Sequence, residues 1–152
     1  MMNSIFIYTL LITPVFAVHN VVQVRPCSGN RPFPREVRVD DCSTMPCKLS
    51  RGRDASAEVD FIAPYDTANL RAVVVPIALG VELPFVLPPE YAKACNWLIN
   101  SGCPISAGDA VTYNLKMPVQ KAYPRIRLAI ETSLIDEQQR THACFELDIG
   151  VV

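Results

Sequence analysis

Six cysteines, at positions 27, 42, 47, 95, 103 and 144, constrain this chain more than any other feature. An even cysteine count in 152 residues that also hold 13 prolines is the composition of a stapled, loop-rich domain folded in an oxidising compartment. The length suits one domain. No C-x-x-C pair occurs, so the paired short spacings that zinc requires are missing. Six cysteines allow fifteen pairings, and composition does not choose among them. Cys42 and Cys47 enclose the turn-like stretch Ser-Thr-Met-Pro, and Cys95 and Cys103 enclose a second loop. Pairing each locally would leave Cys27 with Cys144, tying the two ends of the domain together.

The amino terminus agrees with that compartment. Residues 5–16 are uncharged and mostly apolar, too short to span a bilayer but of the length of a signal-peptide core. Val15-Phe16-Ala17 supplies small residues for a cut after Ala17, although residues 1–4 hold no Lys or Arg. The expectation is a signal peptide over 1–17 and one secreted domain over 18–152. No N-x-S/T sequon is present, Asn100-Ser101-Gly102 failing at its third position. Without an N-glycan there is no handle for mannose-6-phosphate sorting, which favours the extracellular space over the lysosome.

Period-2 patterning then sets the fold class. Residues 36–40 put Val37 and Val39 on one face. Residues 56–61 put Ala57, Val59 and Phe61 inward and Ser56, Glu58 and Asp60 outward. Residues 70–79 form a longer apolar run interrupted by Pro76, which suggests an edge position or a bulge. Residues 111–119 alternate loosely. Residues 125–130 oppose Ile126, Leu128 and Ile130 to their neighbours, and Phe145, Leu147 and Ile149 oppose Glu146 and Asp148. This is the pattern of antiparallel strands buried on one face. Residues 89–98 have room for a helical turn or two, against which Cys95 and its loop speak. About seven short strands with Pro- and Gly-rich connections predict an all-β, two-layer sandwich. The dense prolines around residues 84–89 form a rigid connection at its edge.

The charge balance excludes one class of partner. With 14 basic and 15 acidic side chains the net charge is −1, without the basic excess of a nucleic-acid binder. Catalysis is poorly provided for. His142 is the one histidine in the body of the domain, and no G-x-S-x-G elbow or phosphate-binding glycine loop occurs. The carboxylate pairs Asp40-Asp41 and Asp136-Glu137 fall at turn positions, where solvated charge is the default. The expectation is no enzyme, no metal and no cofactor. What remains is apolar surface. Alternation does not separate a filled sandwich core from a pocket lined by the same side chains between splayed sheets.

A resemblance bears on that choice. Cys42-Ser43-Thr44-Met45-Pro46-Cys47 with Lys48 to Gly52, then Gly80-Val81-Glu82-Leu83-Pro84-Phe85, Cys103-Pro104-Ile105 with Gly108, Tyr113 before Met117-Pro118-Val119, Tyr123-Pro124 and Cys144-Phe145-Glu146 occur in that order. This ordered set resembles the NPC2-like proteins of the MD-2-related lipid-recognition (ML) family, and among them an arthropod member, over essentially the whole domain. The resemblance implies an immunoglobulin-like β-sandwich with a lipid pocket between its sheets. It implies the pairings Cys27–Cys144, Cys42–Cys47 and Cys95–Cys103. It also implies Phe85, Val119, Tyr123, Pro124 and Val39 as ligand-binding positions. The ligand would be a sterol or a similar apolar lipid, held without covalent chemistry by a monomer and passed between membranes or to a membrane acceptor.

The departures widen the ligand set. Thr132 stands where mammalian members commonly have a pocket-wall Trp, and the loop between Cys95 and Cys103 is long and contains Trp97. Some arthropod members carry fatty acids, alcohols or other small lipids as chemical signals. Other members of the family recognise microbial lipids in innate immunity, and Lys116, Lys121, Arg125 and Arg127 lie near the proposed entrance in sequence. A third reading, a stapled domain with a filled core and a protein partner, would show no cavity.

Overall fold

The computed structural model of the chain describes Thr13 and residues 20–152, and apart from Thr13 the leader expected over 1–17 lies outside the described residues. Alternation builds the first sheet. β1 (Asn20–Val21), β3 (Glu36–Val39), β5 (Arg53–Ile62) and β8 (Ala110–Val119) lie side by side in that order. β5 and β8 pair antiparallel over their full length, from Arg53 opposite Val119 to Ile62 opposite Ala110. On β8 every second residue from Val111 to Val119 is buried, so the loose pattern in the sequence is a strict one in space. The outer face of this sheet carries a charge cluster in which Arg38 donates to Glu36, Glu58 and Asp60.

The second sheet runs β2 (Arg25–Pro26), β10 (Thr141–Val151), β9 (Arg127–Asp136), β6 (Leu70–Ala78) and β7 (Val81–Glu82). β4 (Cys47–Leu49) joins β10 in parallel, opposite residues 149–151. Seven of the ten described strands are three residues or longer, as the expected sandwich requires. The core lies between the inward faces of β3, β5 and β8 on one side and of β6, β9 and β10 on the other.

Two features depart from the sequence reading. β9 continues six residues past Ile130 through Glu-Thr-Ser-Leu-Ile-Asp. Its outer face there is covered by the segment after Cys27 rather than by an apolar layer. Arg31 pairs with Glu131 at 2.9 Å, and the Cys144 N–H donates to the Pro32 carbonyl at 2.8 Å. Polar residues on a covered face break the period-2 signal. Second, residues 89–98 do hold helical turns, α1 (Pro89–Ala92) and a 3-10 turn (Ala94–Trp97). Lys93 bridges to Arg71 on β6 and Leu98 to Tyr113 on β8, so this segment straps one sheet to the other. Pro76 sits on an edge strand as expected, since beyond it only the two-residue β7 pairs with β6.

The three disulfides are Cys27–Cys144, Cys42–Cys47 and Cys95–Cys103. One end of the sandwich is also held by a polar network. Asp136 is not solvated: its side chain is fully buried. It accepts hydrogen bonds from the Gln138 and Arg140 backbone and from the Arg140 guanidinium at 2.8 Å, and lies 3.0 Å from His142 Nε2. Burial pushes this carboxyl up, but the bonds from Arg140, His142 and Gln138 outweigh it and hold it at about 2. The Thr67 hydroxyl donates to Glu137 at 2.6 Å and leads the interactions that bring that carboxyl down to about 2. Thr67 and Ile105 exchange backbone hydrogen bonds in both directions, which joins the loops at this end.

Candidate functional site

The opposite end of the sandwich holds a cavity of about 180 Å³. Three groups of residues build it. The inward face of β8 supplies Met117 and Val119, the last two positions of its alternation. The inward faces of β9 and β10 supply Leu128, Ile130 and Ile149. Two irregular segments close the mouth as lips: residues 83–85, with Leu83, Pro84 and Phe85, and residues 120–126, with Tyr123, Pro124 and Ile126. Among the lining side chains only Tyr123 carries a polar atom, its hydroxyl.

Proline and one glycine shape the lips. Pro84, Pro88 and Pro124 offer no backbone N–H, so these segments cannot join a ladder. The Leu83 N–H donates to the Pro76 carbonyl at 2.8 Å, which anchors the first lip to the edge of β6. The second lip is held by Arg51, whose guanidinium donates to the carbonyls of Lys121 and Tyr123. Gly52 beside it has φ +81°, and a Cβ there would lie 3.0 Å from the Lys121 side chain, so both the turn and the close approach favour glycine. No backbone hydrogen bond joins residues 83–88 to residues 120–126, and the lips face each other across apolar side chains.

The structure thus brings Phe85, Val119, Tyr123 and Pro124 around one cavity. Val39 is not among its lining residues. It is buried on β3, opposite Ala57, which in turn pairs with Leu115. Alternation places Val39 on the correct face but says nothing of its depth along the sandwich. Of the four basic residues, Lys121 and Arg125 are exposed on the second lip. Lys116 borders an outer depression beside β3 and β5, and Arg127 one on the outer face of the second sheet. Sequence reasoning missed Leu49, because β4 reaches the site through a parallel pairing that no local pattern announces.

A cavity lined this way offers apolar contact and little else. Enclosed apolar voids of about this size accept a benzene-sized molecule. Pockets for drug-sized ligands run to about 300–1,000 Å³, so a larger lipid must part the lips and sheets. No helix among the described residues is long and apolar enough to cross a membrane.

Comparison with known proteins agrees with this fold. The bovine NPC intracellular cholesterol transporter 2 is 32% identical over 135 residues, covering 89% of this chain and 88% of its own. The Niemann-Pick type C2 protein of the Japanese carpenter ant superposes with a TM-score of 0.74 at 19% identity, covering 86% of this chain and all of that one. Chicken MD-1, solved with lipid IVa, superposes with a TM-score of 0.54 at 18% identity over 82% of this chain and 85% of its own. Residues 21–151 match the ML domain, and the chain belongs to that family.

Proposed function

We propose that this protein is a secreted lipid carrier, processed after Ala17, whose domain over residues 18–152 holds a sterol or a similar apolar lipid between its sheets. The observation that carries the reading is the inter-sheet cavity with Phe85, Val119, Tyr123 and Pro124 at its mouth end. The kinship with a cholesterol transporter supports the ligand class. Binding is non-covalent and needs no catalytic group or cofactor. Affinity comes from removing apolar surface from water, at roughly 25 cal/mol per Å², less the costs of ordering the ligand and parting the sheets. Loading and release need the lips to open and the sheets to part behind them, and no backbone hydrogen bond crosses between the lips.

Exposed apolar side chains beside the first lip suit a transient membrane contact. Leu79 is fully exposed in a two-residue turn with Gly80, both at positive φ, and Val81 and Val86 are exposed as well. A monomer touching a bilayer or a membrane acceptor through this end would pass its ligand without exposing it to water. Lys121 and Arg125 on the other lip favour a second reading, a carrier of lipids with anionic head groups, such as microbial glycolipids or fatty acids.

Native mass spectrometry of the secreted protein, followed by solvent extraction and lipid identification, tests the proposal. A sterol adduct is expected. A fatty acid or acylated glycolipid would keep the pocket and move the assignment to the second reading, and a neutral alcohol would keep the first with a smaller ligand. A ligand-free mass that takes up no lipid on incubation would refute both.

A further inference from the structure

The inward face of β8 continues past the cavity. Val119 and Met117 line it, Leu115 comes next, and Tyr113 lies four residues beyond Met117, about 13 Å deeper along the strand. Tyr113 has no solvent exposure, and its hydroxyl has no hydrogen-bond partner. Burial alone raises this phenol above the ordinary tyrosine range, as expected of a group with nothing to donate to. On the facing sheet β9 follows the same course: Leu128 and Ile130 line the cavity, and the buried Thr132 comes next. Beyond the cavity the inward faces of β8 and β9 are therefore buried core that carries two hydroxyl-bearing side chains.

A buried donor left without an acceptor is destabilising, because it has given up its bonds to water for nothing. Phenylalanine would fill the same space without that cost. The hydroxyl is therefore a poor choice for a filled core and a good one for a site whose occupant brings an acceptor. A ligand larger than about 180 Å³ keeps out of water only by extending inward between the sheets, because the opposite direction is solvent. The acceptor would be neutral, since burying a carboxylate costs far more than one hydroxyl donor returns.

We propose that the Tyr113 hydroxyl is the polar anchor at the deep end of the pocket. It would select an elongated lipid with a neutral oxygen, a hydroxyl or a ketone, at the end that enters first. This rests on the lipid-carrying function proposed above.

The test compares cholesterol with 25-hydroxycholesterol, which adds a hydroxyl to the far end of the side chain, on the wild type and on Tyr113→Phe. The wild type is expected to bind 25-hydroxycholesterol on the order of tenfold more tightly, and Tyr113→Phe to lose that preference. The ligand-free variant should keep or gain thermal stability, since it removes only an unpaired hydroxyl. If the ring hydroxyl is the end that enters first, Tyr113→Phe weakens both sterols, which also supports the anchor. Unchanged affinities for both sterols in a folded Tyr113→Phe protein would overturn the inference and leave the carrier function standing. A wild type that binds neither, and carries no extracted lipid, would overturn the carrier function and the anchor with it.

Discussion

The two ends of this sandwich are closed in opposite ways. At one end Asp136, Arg140, His142, Thr67 and Glu137 form a directional polar network, and the loops of both sheets exchange backbone hydrogen bonds through Thr67 and Ile105. The strap over residues 89–98 and the Cys95–Cys103 bridge reinforce the adjoining edge. At the other end Phe85 and Tyr123 line one cavity from two lips that share no backbone bond. Hydrogen bonds to buried groups lose their full value if they separate, because the partners are left unsatisfied. Apolar contacts lose little if a ligand replaces them. One end is therefore pinned by directional bonds between loops, whereas the two lips at the other share none, and on the proposed function a lipid would enter there, where its own surface substitutes for the contacts it displaces.

The largest expected effect is on the pinned end. Asp136→Ala leaves the Arg140 guanidinium and two backbone N–H groups without their acceptor, and should cost about 3 kcal/mol in denaturant unfolding. A loss below about 1 kcal/mol would mean that the network does not hold this end. Replacing Cys95 and Cys103 together by Ser removes a short loop closure and should cost roughly 2.5 kcal/mol. Lipid binding by the folded remainder should persist, because the bridge is remote from the lips; a comparable loss of affinity would break the division between the two ends.

The open end should respond in the reverse sense. Val119→Phe fills the cavity and Tyr123→Ala removes part of a lip, so each should weaken lipid affinity about tenfold or more with little change in unfolding midpoint. Titration with a fluorescent sterol and a fluorescent fatty acid checks both variants; unchanged affinity in both would remove the site assignment.

The smallest effect is in acid. Asp136 and Glu137 each have a folded-state pKa of about 2, below their ordinary values of 3.8 and 4.5. Depressed values contribute stability that is complete above the ordinary pKa and is lost as pH falls towards the folded one. Melting temperatures should therefore be insensitive to these two groups above about pH 5 and fall with acid between 4.5 and 2. Glu137→Gln should flatten that slope, and an unchanged slope would show that its hydrogen bonds to Thr67 and residues 68–69 do not survive in solution.

Much of the sandwich was legible in the chain because a strand has a period of two. The inward residues of β5, β8 and the second half of β10 could be read from alternation, and Pro76 marked an edge. The late half of β9 was not legible, since a loop covers its outer face and polar residues there look like surface. Asp136 looked like a turn carboxylate for a related reason: its partners come from a hairpin and a bulged strand whose closure no local pattern shows.

The sequence by itself determined the disulfide-stapled class, the faces of the main strands and, through the order of its motifs, the family. Only the tertiary structure decided which inward residues surround a cavity and which fill a core. Val39 and Val119 are both valines on inward faces; one is packed in the interior and the other lines a void. Side-chain period specifies a face, whereas depth along that face depends on how two sheets and two lips, brought together by long-range pairing, happen to meet.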